Sequence, residues 1–167
     1  MDVESFDRFC RDHHTSVVRT VFLITGDRQE AEDLAQEAFA RAFERWNTVA
    51  ALDRPEAWVQ RVAANLAVSW WRRAMVRRRA PVAAPEFVEA PELPDLELRQ
   101  AILQLSPAQR AAIVLRFYAD RSIEDVAETL GKRPGTVRAL TAQGVARLRV
   151  LLGNEIDMTE EVQDEDA

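Results

Sequence analysis

SIEDVAETLGKRPGTVRAL, residues 122–140, is the stretch on which the fold turns. Ser122 ahead of Ile123, Glu124 and Asp125 reads as an N-cap opening a short helix to Leu130. Gly131 breaks that helix, and Pro134 or Gly135 opens another that should run to about Leu152. A helix-turn-helix needs a small residue where the two helices cross, a turn residue tolerant of positive φ, and apolar side chains pointing inward from both helices. Ala127 supplies the first and Gly131 the second, while Val126, Leu130, Val137 and Leu140 are spaced for the core. The second helix begins with Lys132, Arg133, Thr136 and Arg138, with Arg147 further along. In this motif that end meets base edges and phosphates, and the helix dipole favours phosphate there as well.

Upstream, Ser106, Pro107 and Gln109 give an N-cap, a proline in the first turn and a capping-box glutamine. They predict a helix to about Tyr118 in a unit that begins at Leu98. Residues 80–97, APVAAPEFVEAPELPDLE, hold four of the seven prolines and five carboxylates. Proline removes a donor and blocks helix propagation, so the stretch reads as an acidic, extended linker. Before it lies a helical half. Phe6, Phe9, Cys10, His13, Val17, Val21 and Ile24 form a stripe at steps of three and four. After a break at Thr25-Gly26-Asp27, Asp27 and Glu30 read as a capping box for a helix to about Trp46. That helix should bury Ala31, Leu34, Ala35, Ala38, Phe39, Ala42 and Phe43. Pro55 opens a third helix through Trp58, Val62, Asn65, Leu66 and Trp71 into an arginine cluster.

The expected organisation is therefore all-α. Residues 1–80 and 98–153 form two small helical domains, 81–97 an acidic proline-rich linker, and 154–167 an acidic tail with too little apolar content to fold alone. The chain's net charge of -6 is divided unevenly. Residues 1–79 carry +1, 80–97 carry -5, 98–153 carry +5 and the tail carries -7. Exposed charges are screened beyond about 8–10 Å, so local blocks decide what approaches a surface. The +5 unit can meet a polyanion, and the tail is placed to compete with DNA for it. No apolar run nears the roughly 18 residues of a membrane span, and the N-terminus has no signal-peptide pattern. Cys10 is the one cysteine. A cytoplasmic protein without membrane insertion is expected.

Chemistry has no evident carrier. Glu30, Asp33 and Glu37 share a helix face, but the Glu-x-x-His step of di-iron bundles is missing. His13 and His14 are adjacent, about 100° apart on a helix, so they do not converge on one metal. There is no Ser/His/Asp or Cys/His set and no phosphate-cradling glycine loop. No catalytic residue, metal or cofactor is expected.

Three blocks together are recognisable: AEDLAQEAFARAFERW, RPEAWVQRVAANLAVSWWRR, and LSPAQRAAIVLRFYADRSIEDVAETLGKRPGTVRALTAQGVARLR. In this order, over about residues 5–152, they closely resemble the extracytoplasmic-function group of bacterial sigma-70 factors. The resemblance implies a sigma-2 helical bundle and a sigma-4 helix-turn-helix that bind core RNA polymerase and promoter DNA, under control of an anti-sigma factor. It implies that Asp33, Leu34, Gln36 and Glu37 dock on the polymerase. It places Asn65, Ser69, Trp70, Arg72, Arg73, Arg77, Arg78 and Arg79 at the −10 element, where aromatic and arginine planes suit unpaired bases. Trp71 stands where the family has a buried leucine, and Trp46 and Trp58 are expected in the core.

The last helix would enter the −35 major groove with Lys132, Arg133, Thr136, Arg138, Thr141, Gln143 and Arg147, Arg138 being the best match to guanine. Here the sequence departs from the family. Leu140 replaces the usual second arginine, and Thr141 the following apolar residue, so the buried face of this helix is open. Other classes remain: a sigma mimic that sequesters an anti-sigma factor without touching DNA, or a stand-alone repressor, which leaves the first 80 residues unexplained.

Overall fold

The computed structural model describes residues 3–77 and 96–153. Arg78, Arg79, the proline-rich stretch to residue 95 and the tail 154–167 lie outside the described residues. Within them the regular structure is helical: α1 (Val3–Thr25), α2 (Arg28–Glu44), α3 (Trp46–Val49), α4 (Pro55–Arg77), α5 (Leu96–Leu103), α6 (Pro107–Ile113), α7 (Ile123–Leu130) and α8 (Pro134–Leu151). α6 continues into a π-helical turn, Val114–Tyr118.

The local signals explain the ends. Ser106 accepts from the Gln109 amide at 3.4 Å and its own amide donates to Gln109 Oε1 at 3.3 Å, a full capping box. At α2 only half of the expected box forms: Asp27 accepts from the Glu30 amide at 3.1 Å. Gly26, at φ +72°, ends α1 in the left-handed conformation that glycine takes without strain. Gly131, at φ +63°, ends α7 in the same way and makes the turn of the helix-turn-helix. Gly144 lets α8 cross α6 closely, since a Cβ there would stand 2.9 Å from Ile113 Cγ1.

α1, α2 and α4 pack on one another as a bundle, and α6, α7 and α8 pack as the helix-turn-helix unit. Phe6 lies 5.0 Å from Phe43 and 5.1 Å from Trp46, ring centre to ring centre, which closes the end of the bundle. Trp46 is buried as expected, and Trp58 is half-buried against the core. Three expectations need correction. Phe43 stays exposed although its ring lies against Phe6. Trp71 is half-buried and not a member of the core, whose share of α4 is filled by Val59, Ala63, Ala64, Ala67 and Val68. α5 begins at Leu96, inside the expected linker.

The largest difference is between the two halves, which the sequence suggested were held apart. They share one contiguous apolar core. The cause lies in α1, which is amphipathic at its start but buried nearly all round at its end. Val17, Val18, Thr20, Val21, Phe22, Leu23, Ile24 and Thr25 are all buried. A helix end buried on nearly every side, with only Arg19 left half-buried, needs partners on nearly every side. α2 and α4 cover one flank, and α5, α6 and the π turn cover the other.

Candidate nucleic-acid interface

α4 carries Arg61, Asn65, Ser69 and Arg72 at steps of four, four and three, a single stripe along the helix. All four are exposed, as are Arg73 and Arg77, while Trp70 is half-buried. The Ala and Val residues on the opposite side of α4 are buried in the bundle, and this amphipathicity fixes which way the stripe faces. Arg61, Asn65 and Ser69 form one wall of an open cleft of about 260 Å³ lined also by Arg121, Glu128 and Thr129.

The other wall comes from the C-terminal half. Asp120, at φ +51°, redirects the chain after the π turn, a conformation aspartate tolerates better than most residues. Arg121 is then held at its backbone: its amide donates to Leu115 O at 3.0 Å, and its carbonyl accepts from the Arg116 guanidinium. Its side chain is buried, and Nη1 donates to Asn65 Oδ1 at 3.1 Å. Burial and the neighbouring Arg61 lower the Arg121 pKa, with Asp125 and Glu128 opposing them. The group stays charged at neutral pH, as arginine does.

Further bonds cross between the halves. Arg61 Nη2 lies 3.3 Å from Asp125 Oδ1, and Arg54 Nη1 lies 3.9 Å from Asp120 Oδ2. Arg72 Nη2 donates to Thr129 O at 2.9 Å and reaches Gly131, where an added Cβ would stand 3.1 Å from it. Arg72 thus sits at the negative end of the α7 dipole. Arg110 does the same for two helices at once, donating to Ile24 O of α1 at 3.3 Å and Leu103 O of α5 at 3.4 Å. It is buried, and burial lowers its pKa.

On α8 the outward residues are Thr136, Arg138, Gln143 and Arg147, with Lys132 and Arg133 exposed in the turn just before it. Arg138 Nη2 lies 3.9 Å from Glu124 Oε1 of α7, and Gln143 Oε1 accepts from Gln109 Nε2 at 3.5 Å. Thr141 differs from these in exposure. It is only 7% exposed, and its hydroxyl donates to Val137 O at 2.8 Å. It occupies the apolar register of the helix, a small residue whose one donor is satisfied internally, not the outward face on which the other named residues lie. Leu140 is half-buried against the core.

Asp33, Gln36 and Glu37 of α2 are exposed, with Leu34 half-buried beneath them. Asp33 accepts from Gln29 at 3.2 Å, and Glu37 pairs with Arg41 at 2.9 Å. These carboxylates hold only neighbours on their own helix, which leaves the face open to a partner. Among the described residues, no three His, Cys, Asp or Glu groups converge on a metal position, and no helix is long and apolar enough to cross a membrane. His14 instead lies 3.4 Å from Glu32.

The structure brings Asn65, Ser69 and Arg72 together and keeps the α8 group on a separate surface. Reading the sequence by motif missed Arg61, Arg110 and Arg121. For Arg61 the signal was present, since it lies four residues before Asn65 on the α4 stripe. For Arg110 and Arg121 there was none, because the partners that tie them to the first half, Ile24 and Asn65, are 86 and 56 residues away.

Comparison with known proteins matches residues 9–77 to the model of sigma-70 region 2 and residues 95–148 to that of sigma-70 region 4. The chain is 30% identical to the RNA polymerase sigma-E factor of Streptomyces coelicolor, over 93% of this chain and 91% of that protein. It is 30% identical to the ECF RNA polymerase sigma factor SigM of Mycobacterium tuberculosis, over 91% of this chain and 79% of that one. Its fold is similar to that of the sigma factor RpoE of Bartonella quintana, solved in complex with the anti-sigma factor NepR. The TM-score is 0.65 at 21% identity, covering 92% of this chain and 100% of that one.

Proposed function

The chain belongs to the extracytoplasmic-function group of the sigma-70 family, and on that footing we propose how its surfaces divide the work of an RNA polymerase sigma factor. The α2 face with Asp33, Leu34, Gln36 and Glu37 docks on core polymerase. The α4 stripe with Asn65, Ser69 and Arg72, together with Trp70, Arg73 and Arg77 and with Arg78 and Arg79 that follow in the sequence, meets the −10 element as it opens. Lys132 and Arg133 in the turn before α8, with Thr136, Arg138, Gln143 and Arg147 on it, meet the −35 duplex. Phosphate contacts from the arginines position the protein, and Arg138 carries the bidentate geometry that distinguishes guanine.

The observation that carries this reading is the pairing of two family regions in order, each presenting an exposed basic helix face. The chain contributes binding and the polymerase contributes the chemistry. It therefore works where polymerase and chromosome are, in the cytoplasm. An anti-sigma factor is the expected regulator, consistent with the family. The test is initiation by core polymerase reconstituted with the purified chain on a library of genomic fragments. Transcripts starting at a shared two-element motif are expected. A chain that binds an anti-sigma factor but supports no transcript would be a sequestering mimic instead.

A further inference from the structure

Gln109 makes two side-chain contacts that ask different things of its amide. At the start of α6 its Oε1 accepts from the Ser106 amide at 3.3 Å, the return half of the capping box. A backbone N–H can only donate, so this bond settles which end of the Gln109 amide is oxygen. The other end, Nε2, donates to Gln143 Oε1 of α8 at 3.5 Å. The close crossing of the two helices brings the pair together. A Cβ at Gly144 would stand 3.7 Å from Gln109 Cβ, so the glutamine stem lies against α8 beside Gln143. The order runs from Ser106 through Gln109 to Gln143. Facing a donor, Gln143 turns its oxygen inward and leaves its two N–H donors toward solvent. Gln143 is exposed, seven residues after Thr136 and four before Arg147 on one helix face.

A free glutamine offers an acceptor and a donor together, the combination that reads adenine. Gln143, with its oxygen held, offers donors alone. We propose that Gln109 is a positioning residue for promoter readout. Through the α6 cap it fixes Gln143 as a donor, which selects a keto oxygen, guanine O6 or thymine O4, over the amino group of adenine or cytosine in the −35 major groove. The inference rests on the −35 reading of α8 given above. Gln109 itself touches no base, and its effect passes through Gln143.

Gln109→Glu tests the direction. Glutamate is the other residue a capping box takes, so one carboxylate oxygen keeps the Ser106 bond and Tm should hold. The second oxygen is an acceptor where glutamine had a donor, so the Gln143 amide turns round and presents its oxygen outward. Full-length chain is titrated with a −35 duplex from a promoter recovered in the transcription screen, and with its set of single transitions. A transition exchanges keto and amino groups in place on both strands, so it reverses what Gln143 meets whichever strand it reads. Gln143→Ala finds the position, as the one where discrimination within the transition pair is lost. There the wild-type chain should prefer one base pair about threefold to tenfold, the worth of one hydrogen bond, and Gln109→Glu should prefer the other by a similar factor. Added negative charge weakens all the duplexes together and cancels in that ratio. Gln109→Met removes the donor without adding charge and should flatten the preference rather than reverse it.

On a Gln143→Ala background neither substitution at Gln109 should change the preference at that position. Uniform weakening by Gln109→Glu with an unchanged preference overturns the inference. So does a Gln143→Ala chain that keeps the wild-type preference at every position. Both results leave the −35 reading standing if Arg138→Ala still weakens the duplex. If neither Arg138→Ala nor Gln143→Ala alters duplex binding, the −35 reading itself falls.

Discussion

At the residue scale, arginine does three jobs here, distinguished by surroundings rather than by type. Arg138 is exposed beside Glu124, Arg72 caps a helix at the surface, and Arg110 is buried between two helix ends. Their substitutions should separate accordingly. Arg138→Ala should weaken the −35 duplex by about 1–3 kcal/mol and relax preference at one base pair, without changing Tm, as mobility shifts on a substituted operator series would show. Thr141→Val should leave −35 binding unchanged, since the side chain is buried in the helix register. It should cost stability by about 1 kcal/mol or less, as denaturant unfolding would measure. Arg110→Ala should leave two helix ends without their donor and cost about 1.5–3 kcal/mol in the same measurement.

At the scale of elements, the capping residues and breakers set the helix ends, and packing sets what the helices do next. Ser106, Ser122, Gly26 and Gly131 acted as their types dictate. The π turn at Val114–Tyr118 lies inside a segment that reads as plain helix, and Arg121, three residues beyond it, bonds Asn65 across the halves. Gly144 shows the balance. Alanine there would gain about 0.5–1 kcal/mol of helix propensity. Its methyl would also stand 2.9 Å from Ile113 Cγ1 and 3.2 Å from Cδ1. Overpacking of this kind costs about 1–3 kcal/mol, so Gly144→Ala should lower Tm despite its better propensity.

At the scale of the whole molecule, charge is arranged in blocks. The tail's -7 follows a unit of +5. Deleting residues 154–167 should tighten the −35 duplex at low salt, with the gain shrinking as salt rises. Equal affinities across the salt series would reduce the tail to a solubilising segment.

Fold class, the helix-turn-helix and the family were legible in the sequence because they depend on neighbours three to about 20 residues away. Caps, breakers and apolar periodicity act at that range. The α2 carboxylates and the basic start of α8 were legible for the same reason, because a helix's outward face is fixed once its inward face is known. The tertiary structure alone decided that the halves share one core, that Thr141 and not its outward neighbours is buried, and that Asn65 meets Arg121. These depend on partners from distant parts of the chain, and no local pattern records which buried arginine will find which carbonyl. Even so, residues 17–25 carried a trace of it: a helix end with apolar residues around most of its circumference has to be covered on more than one side, and only the assembled chain shows by what.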